Sequence, residues 1–230
     1  MPIFRPLSET KFINDANLVS YWKLDGNSND ETANNNDGTD TDITYGTDYG
    51  KFGQGAGLTD ARASKIVISD DNSLDLSTNF TISVWFKMSA TGQTDRFLLN
   101  KNTDSYAIIY GYVSQKYEFF SNNYTGTAPR TALTSAVNDT NWHNIIWTYN
   151  GTTINGYLDG KLDVTSNKSF SLNNGTGGLQ IGVPTTTPPT IDAALLGAID
   201  DVAIFSRALS ASEVNELYQG INTGAFLELF

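Results

Sequence analysis

The stretch FTISVWFKM, residues 80 to 88, carries the clearest secondary-structure pattern in the chain. Apolar side chains occupy every second position of it, at Phe80, Ile82, Val84, Phe86 and Met88. The alternate positions are Thr81, Ser83, Trp85 and Lys87. Successive residues of a β-strand point to opposite faces of the sheet, so this period of two predicts a strand with one face directed into a core.

Similar short runs lie on both sides of this strand. They are LVSYWKL (18–24), SKIVIS (64–69), RFLLNK (96–101), YAIIYGYV (106–113), KYEFFS (116–121), WHNIIWTYN (142–150), TINGYLD (153–159), KLDVTS (161–166), GLQIGV (178–183) and GAIDDVAIFS (197–206). In the first run Leu18, Trp22 and Leu24 are predicted to share a face. Asn150-Gly151 and Asp159-Gly160 separate neighbouring runs, and these dipeptides favour hairpin turns. Many short strands joined by polar turns predict an all-β sandwich or barrel.

One helix is predicted, near the carboxyl end. Ser210 followed by Glu213 forms a capping box, and Gly220 is placed to end the helix. The tail after it ends in AFLELF, and the first residues, MPIFRPLSETKF, contain Phe4 and Phe12. Apolar ends of this kind are expected to dock on the protein's own sheet or on a neighbouring molecule.

Composition and charge exclude several classes of partner. The 230 residues carry 14 basic and 25 acidic side chains, a formal net charge of −11. Nucleic acid and anionic membranes are therefore poor partners, and no apolar run is long enough to span a bilayer. Without cysteine the chain has no disulfides and no thiol nucleophile. The first residues lack a signal-peptide pattern.

Five motifs, taken together and in order, resemble a known family. They are LVSYWKLDGNSND, YGKFGQGAGL, SLDLSTNFTISVWFK, NWHNIIWTYNGTTINGYLDGK and GAIDDVAIFSRALSASEVNELY. This series is similar to laminin-G-like, concanavalin A-like lectin-glucanase domains. The resemblance implies a jelly-roll sandwich of two antiparallel sheets with one short C-terminal helix, over residues 18–219. Residues 1–17 then form an N-terminal arm and 220–230 an apolar tail. It also implies that YWKLD pairs with IDDVAIF, which brings Asp25 and Asp200 to one rim.

An acidic segment after the first strand is a candidate calcium site. Ca²⁺ takes six to eight oxygen ligands, and Asp25, Asn27, Asp30 and Asp200 are the predicted ligands at this rim. The alternative is a solvated turn in which Asn and Asp side chains bond their own backbone. The neighbouring GKFGQGAG lacks the rest of a phosphate loop, so its glycines are expected to serve tight turns.

Candidate ligand-binding residues lie in the tyrosine-rich strand and the loop after the next strand. Alternation places Tyr106, Tyr110 and Tyr112 on one face, and Ala107, Ile109 and Gly111 on the other. The small aliphatic face is expected to enter the core, which leaves the tyrosines exposed for sugar stacking or a protein interface. A tyrosine-rich core or outer sheet without a ligand is the alternative. Asn122, Asn123 and Tyr124 are predicted to add hydrogen bonds.

No catalytic constellation is found. His143 lies in a strand pattern and is expected to be structural, and Glu118 has no acidic partner at strand spacing. Glycoside hydrolysis needs two carboxylates, so an enzyme is not predicted. The favoured function is a non-catalytic glycan-binding or adhesion module with a calcium-stabilised rim. It would act outside the cell or on a cell or virion surface, with a glycan or a surface protein as partner.

The alternative is a structural or decorating protein of a phage virion or surface layer. It would use the jelly roll as a spacer and form homo-oligomers or larger assemblies through its termini. A glycoside-active enzyme is the least favoured hypothesis.

Overall fold

The computed structural model describes residues 11–59, 64–91, 96–101, 105–111, 114–183 and 195–220. Nearly all regular structure in them is β-strand. The strands are β1 Leu18–Trp22, β2 Gly38–Thr41, β3 Ile43–Gly46, β4 Gly55–Leu58, β5 Lys65–Ile68, β6 Phe80–Met88, β7 Arg96–Lys101, β8 Tyr106–Gly111, β9 Lys116–Phe120, β10 Tyr124–Gly126, β11 Thr131–Ala132, β12 Trp142–Tyr149, β13 Thr153–Leu158, β14 Lys161–Asn167, β15 Phe170–Leu172, β16 Leu179–Ile181 and β17 Gly197–Phe205. The helices are α1, Ala211–Gln219, and short 3-10 turns at Lys11–Asn14, Thr47–Tyr49 and Asn72–Leu74.

The strands form two large antiparallel sheets, as in a jelly-roll sandwich. The eight-stranded sheet has the order β14-β13-β12-β6-β17-β4-β3, and β1 also pairs with β17. The seven-stranded sheet has the order β11-β9-β8-β7-β16-β5-β2. A small ribbon of β10 and β15 lies beside them. The predicted fold class is therefore confirmed.

The main core lies between the two sheets and contains the predicted inner face of β6. Phe80 and Phe86 of β6 meet rings of β9 across the sandwich, with centroids 5.1 Å apart for Phe80–Phe119 and 4.5 Å for Phe86–Tyr117. All four rings are fully buried. Burying a large apolar side chain stabilises a fold by roughly 1.5–3 kcal/mol, so these rings hold the two sheets together.

The first and the last strand of the described part of the chain meet on the eight-stranded sheet. Strand β1 pairs with β17 in an antiparallel register, with Trp22 opposite Val202, as the resemblance implied. The register shifts between Leu18 and Ser20. Because of this shift Leu18 packs in a second cluster on the outer face, while Trp22 and Leu24 enter the main core. The prediction that all three share one face was therefore wrong for Leu18.

The second cluster places helix α1 and the 3-10 turn at Lys11–Asn14 on the outer face of the eight-stranded sheet. It includes Phe12, which is fully buried, with its ring 6.1 Å from that of Phe205. Arg207 joins Asp15, at 2.5 Å, to Glu213 of the helix, at 2.8 Å. Residues 11–17 of the predicted arm are thus packed on the sandwich. Residues 1–10, with Phe4, and the tail residues 221–230 lie outside the described residues.

The helix has the ends that its sequence predicted. The Ser210 side chain accepts from the Glu213 backbone N–H, and the Glu213 side chain accepts from the backbone N–H of Ser210. Gly220 ends the helix in the left-handed conformation, with φ 64°. The predicted hairpin turns also form, with positive φ at Gly151, Asp159 and Gly160. Among the described residues, no helix has the length and apolarity needed to cross a membrane.

Candidate functional site

The acidic rim is built around the glycine-rich loop at residues 50–54. The Asp200 carboxylate is fully buried, and its Oδ2 accepts the backbone N–H groups of Lys51 and Phe52 at 2.8 and 2.9 Å. On the same loop the Gln54 N–H donates to Asp25 Oδ1 at 2.8 Å. A Cβ added at Gly50 would lie 2.2 Å from the Gly53 carbonyl oxygen, so this turn needs glycine. Asp25 and Asp200 therefore anchor one loop.

Asn27 and Asp30 belong to a different structure, the turn after β1. The Asp30 carboxylate accepts backbone N–H groups from Tyr21, Thr32 and Asn36 at 2.9, 3.0 and 3.0 Å. It also accepts the Thr32 hydroxyl at 2.9 Å. Asn27 Oδ1 accepts the Asn29 N–H, which is a local Asx turn. The carboxylate of Asp30 therefore serves to hold the turn against β1.

These four residues do not fit a calcium cage as the structure places them. Calcium needs six to eight oxygens directed at one point, whereas the oxygens of Asp200 and Asp30 accept hydrogen bonds from backbone N–H groups in two separate turns. No group of three or more His, Cys, Asp or Glu side chains suited to a metal occurs in the described parts of the chain. The predicted calcium site is tested by a comparison of the thermal midpoints with calcium and with EDTA.

The tyrosine strand β8 faces the opposite way from the prediction. Tyr106 and Tyr110 are 1% and 0% exposed and belong to the main core. The Tyr106 hydroxyl donates to the Leu74 carbonyl at 3.0 Å, and the Tyr110 ring lies 5.0 Å from Tyr117. These two tyrosines are not a surface for ligands, so that assignment was wrong. Tyr112 lies outside the described residues.

The loop after β9 does reach the surface and carries the other predicted ligand-binding residues. Asn122 is exposed, and Asn123 and Tyr124 are partly exposed. Asn123 is held by Asn173, whose side-chain amide donates to Asn123 Oδ1 at 3.0 Å and whose backbone N–H donates to the Asn123 carbonyl at 3.0 Å. We call this segment, residues 122–130 with the adjoining Phe120, the asparagine loop.

Arg130 supplies the cationic group of the asparagine loop. Its guanidinium lies over the Phe120 ring, 5.3 Å from the centroid, and its Nε donates to Glu118 Oε2 at 2.7 Å. The Arg130 side chain is nevertheless 59% exposed, whereas that of Glu118 is 10% exposed. The planar guanidinium is thus fixed from one side and open to solvent on the other.

His143 is held by two carboxylates at the start of β12. Its Nδ1 lies 2.8 Å from Asp159 Oδ2 and its Nε2 lies 3.0 Å from Asp139 Oδ1. The hydrogen bond to Asp159 is the largest cause that raises the pKa of His143 above its ordinary value of 6.5, and Asp139 adds to it. Asp159 Oδ1 also accepts the Asn144 N–H at 2.9 Å. This arrangement ties a turn to a strand, which agrees with the structural role expected for His143.

Most of the outer face of the eight-stranded sheet is covered, and Trp85 marks the edge of the covered part. Tyr218 of α1 stacks on Trp85 with centroids 5.3 Å apart, Phe52 meets it edge-on at 5.3 Å, and the Lys51 ammonium lies 4.8 Å above its ring. Trp85 is consequently only 4% exposed. The glycine-rich loop and the helix thus close on one tryptophan.

Beyond Trp85 the same face opens into a groove that sequence reasoning missed. Its volume is roughly 550 Å³, and its lining includes Asp48, Tyr49, Lys87, Thr140 and Ala198. Trp142 lies opposite Lys87 in the sheet, and the Lys87 ammonium is 5.6 Å from the centre of its ring. These residues come from four distant segments, and the charged Lys87 two positions after Trp85 on the outer face of β6 was the available signal. We call this feature the outer groove.

Solved structures of similar fold include a domain of an arabinanase and the binding domain of a mosquitocidal protein. Domain 4 of AbnA, an extracellular GH43 arabinanase of Geobacillus stearothermophilus solved with arabinotriose, has a TM-score of 0.68 at 20% identity and covers 88% of this chain and 98% of that one. The binding domain of Paraclostridial Mosquitocidal Protein 1 has a TM-score of 0.72 at 16% identity and covers 90% of this chain and 52% of that one. At such identities the likeness shows the fold.

Sequence comparisons agree with the fold. The adhesion G-protein coupled receptor V1 of Danio rerio is 29% identical over 153 residues, which is 61% of this chain and 2% of that receptor. The chain therefore spans a very small part of that curated relative. The laminin G-type family model described as the concanavalin A-like lectin/glucanases superfamily matches residues 60–215, more than half of the chain. The protein thus belongs to the concanavalin A-like lectin/glucanase superfamily.

Proposed function

We propose that the protein is a non-catalytic binding module that presents the asparagine loop to a glycan on an extracellular, cell or virion surface. The observation that carries the proposal is the fixed but exposed Arg130 guanidinium, which lies over Phe120 beside the partly exposed Asn123 and Tyr124. A glycan-bearing surface protein would present the same chemistry. The experiment described below therefore measures glycan binding.

The chemistry of the loop matches that of a sugar ring. A guanidinium provides several N–H donors in one plane, and an amide provides donors and acceptors together, so both suit neighbouring hydroxyl groups. A tyrosine ring offers an apolar face to the C–H side of a sugar and a polar tip to its hydroxyls. Because Asn173 and Phe120 already hold Asn123 and Arg130, less side-chain entropy is lost on binding.

The Glu118 carboxylate beside the loop is already bonded to Arg130. Glu118 accepts a hydrogen bond from Arg130 Nε at 2.7 Å and is largely buried. Retaining and inverting glycosidases need one carboxyl group as acid and a second as nucleophile or base. Holding the guanidinium in place is the role that we assign to Glu118, which supports binding rather than hydrolysis.

Comparisons with known proteins support the binding hypothesis at the level of fold. The structural neighbours described above are a domain of an arabinanase, solved with a trisaccharide, and the binding domain of a mosquitocidal protein. Function resides in a site rather than in a fold, so the asparagine loop must be tested directly.

The test is a glycan array followed by calorimetry with the glycans that bind. Arg130→Lys keeps a cation beside Glu118 but loses the planar guanidinium, and Tyr124→Ala removes the ring. We expect each to weaken binding at least tenfold, about 1.4 kcal/mol, while Lys161→Met on the exposed edge strand β14 changes nothing. Binding that is equal in all three variants would refute a role for the loop. No binding to any glycan would refute the function.

The alternative function, a decorating protein that assembles through its termini, is tested by deleting residues from each end of the chain. Phe12 is part of the second cluster, so removing residues 1–12 would damage the domain itself. Deletion of 1–10 or of 222–230 removes none of the described residues of that cluster. Loss of a native oligomer in either deletion, measured by light scattering, would favour the assembly protein. An unchanged mass with unchanged glycan affinity would favour the binding module.

A further inference from the structure

We propose that the outer groove is a second carbohydrate site, which takes a neutral hexose unit of a glycan. It lies on the outer face of the eight-stranded sheet, whereas Glu118 and Phe120 of the asparagine loop site belong to the seven-stranded sheet. The inference goes beyond the function proposed above, because it names a second binding site and the class of ligand that this site takes.

The sheet register builds the floor and the walls of the outer groove. In one row across the sheet Gly57 pairs with Ala198, Ala198 pairs with Lys87, and Lys87 pairs with Trp142. Ala198 has a small side chain, so the floor of the groove is low beside Lys87. Trp85 lies two positions from Lys87 on the same face and is covered by Tyr218 and Phe52. The opening therefore begins where the cover of the sheet ends.

Tyr49 provides a flat aromatic wall whose position is fixed. A Cβ added at Gly57 would lie 2.7 Å from three atoms of the Tyr49 ring, so the ring rests directly on the backbone of β4. One face of the ring is thus packed, and the residue as a whole is partly exposed. A ring that is held in place before binding loses little entropy when a sugar stacks on it.

Three polar groups in the groove have no hydrogen-bond or ion-pair partner among the described residues, and one of them, the Lys87 ammonium, lies over the Trp142 ring. Among the residues that the structure describes, no hydrogen bond or ion pair is found for the Tyr49 hydroxyl or the Asp48 carboxylate, and no carboxylate lies within 4.0 Å of the Lys87 ammonium. This contrasts with Asp30, Asp200 and Asp163, whose oxygens accept several hydrogen bonds each. The groove thus offers a donor, an acceptor and a hydroxyl side by side.

The charges of these groups favour a neutral sugar. Lys87 contributes one positive charge and Asp48 one negative charge, so the pair has no net charge. A neutral hexose has adjacent hydroxyls that donate to a carboxylate and accept from an ammonium. An acidic sugar would meet Asp48 at close range within a protein of net charge −11. The volume of roughly 550 Å³ lies in the range of small-ligand sites, about 300–1,000 Å³.

The test measures binding of neutral and acidic oligosaccharides to the whole chain. The neutral probes are cellohexaose, maltohexaose and mannohexaose, and the acidic probes are trigalacturonate and sialyllactose. Calorimetry gives the affinity, and tryptophan fluorescence reports on Trp142, which lies beside the Lys87 ammonium. We expect at least one hexose oligomer to bind and to change the fluorescence.

Three groove variants and one matched control locate the binding. Tyr49→Ala and Lys87→Met are expected to lower the affinity for the hexose oligomer at least tenfold, and Tyr49→Phe less than Tyr49→Ala because it keeps the ring. Lys161→Met repeats the Lys87 substitution on the edge strand β14, away from the groove. It should leave the affinity for the hexose oligomer unchanged. Tyr124→Ala then tells binding at the asparagine loop apart from binding at the outer groove. Equal thermal midpoints show that the variants are folded.

Three outcomes overturn the second site. One is that none of the neutral probes binds to the wild type, and another is that Lys87→Met binds as Lys161→Met does. The third is that Tyr124→Ala, rather than Tyr49→Ala, abolishes the binding of neutral probes. The proposed function has a refutation of its own. It is refuted when no glycan, neutral or acidic, binds more weakly to the Arg130→Lys or Tyr124→Ala variant than to the wild type.

Discussion

The substitution Asp30→Asn separates a structural carboxylate from a calcium ligand. Oδ1 of Asp30 accepts the N–H groups of Tyr21 and Thr32, and Oδ2 accepts the Asn36 N–H and the Thr32 hydroxyl, all between 2.9 and 3.0 Å. The residue is 8% exposed. An asparagine has the same shape, but it carries no charge, and one of its two positions is an NH₂ group that cannot accept.

The expected loss of stability follows from these contacts. Whichever oxygen becomes the NH₂ group, one buried backbone N–H, that of Tyr21 or of Asn36, loses its acceptor. An unsatisfied buried donor costs about 1–3 kcal/mol. The remaining bonds change from charge-assisted bonds of about 1.5–3 kcal/mol to neutral bonds of about 1 kcal/mol. Because such terms are not additive, we expect a net loss of about 3 kcal/mol in the free energy of unfolding.

Urea unfolding in the presence of EDTA measures this loss without any calcium. The matched control is Asp37→Asn in the same loop, since the exposed Asp37 accepts the Asp30 N–H at 2.8 Å as its hydrogen bond in the structure. The control should lose no more than about 1 kcal/mol. If Asp30→Asn equals the wild type in EDTA and is weaker only when calcium is added, then Asp30 is an ion ligand and the structural reasoning fails.

Three further predictions concern the rim, the histidine and the covered tryptophan. With millimolar calcium or with EDTA the thermal midpoint should be the same, because backbone N–H groups take the oxygens of the rim carboxylates; a site filled at about a hundred times its dissociation constant would instead add ~2.7 kcal/mol. His143 has a raised pKa in the folded state because of Asp159 and Asp139, so its stabilising contribution is complete below pH about 6 and is lost as the pH rises through the folded-state pKa. His143→Gln should therefore flatten the fall in stability between pH 6 and 8, and an unchanged profile would contradict this. Trp85→Ala should lower the free energy of unfolding by about 3 kcal/mol or more in urea titrations, because Tyr218 loses its stacking partner; a loss below about 1 kcal/mol would show that the contact carries little energy.

Local pattern was sufficient where a strand or helix has one apolar side. The alternation in β6 predicted its inner face, and the capping box of Ser210 and Glu213 predicted the start of α1. In both cases the signal depends on neighbours within a few residues. Strands such as β2, Gly38–Thr41, were missed, because a short polar segment with mostly exposed side chains has no such period.

The tyrosine strand shows where local pattern is insufficient. Both faces of β8 are apolar, so the alternation gives two equal choices of inner face. The structure turns Tyr106 inward, where the Leu74 carbonyl accepts its hydroxyl at 3.0 Å. A buried hydroxyl is tolerated only when it has a partner, and that partner lies 32 positions away in the sequence. No window around Tyr106 contains this information.

The sequence by itself determined the all-β class, the main strands and the helix, because these follow from the spacing of apolar residues and from local turn chemistry. The resemblance of its five motifs to a known family implied the jelly roll. Tertiary structure alone decided which residues meet. The register of β4, β17 and β6 places Ala198 beside Lys87 in the outer groove, and Tyr49 from a distant turn lines the same groove. The physical reason is that hydrogen bonds between strands fix neighbours far apart in the chain, whereas local preferences act over only a few residues.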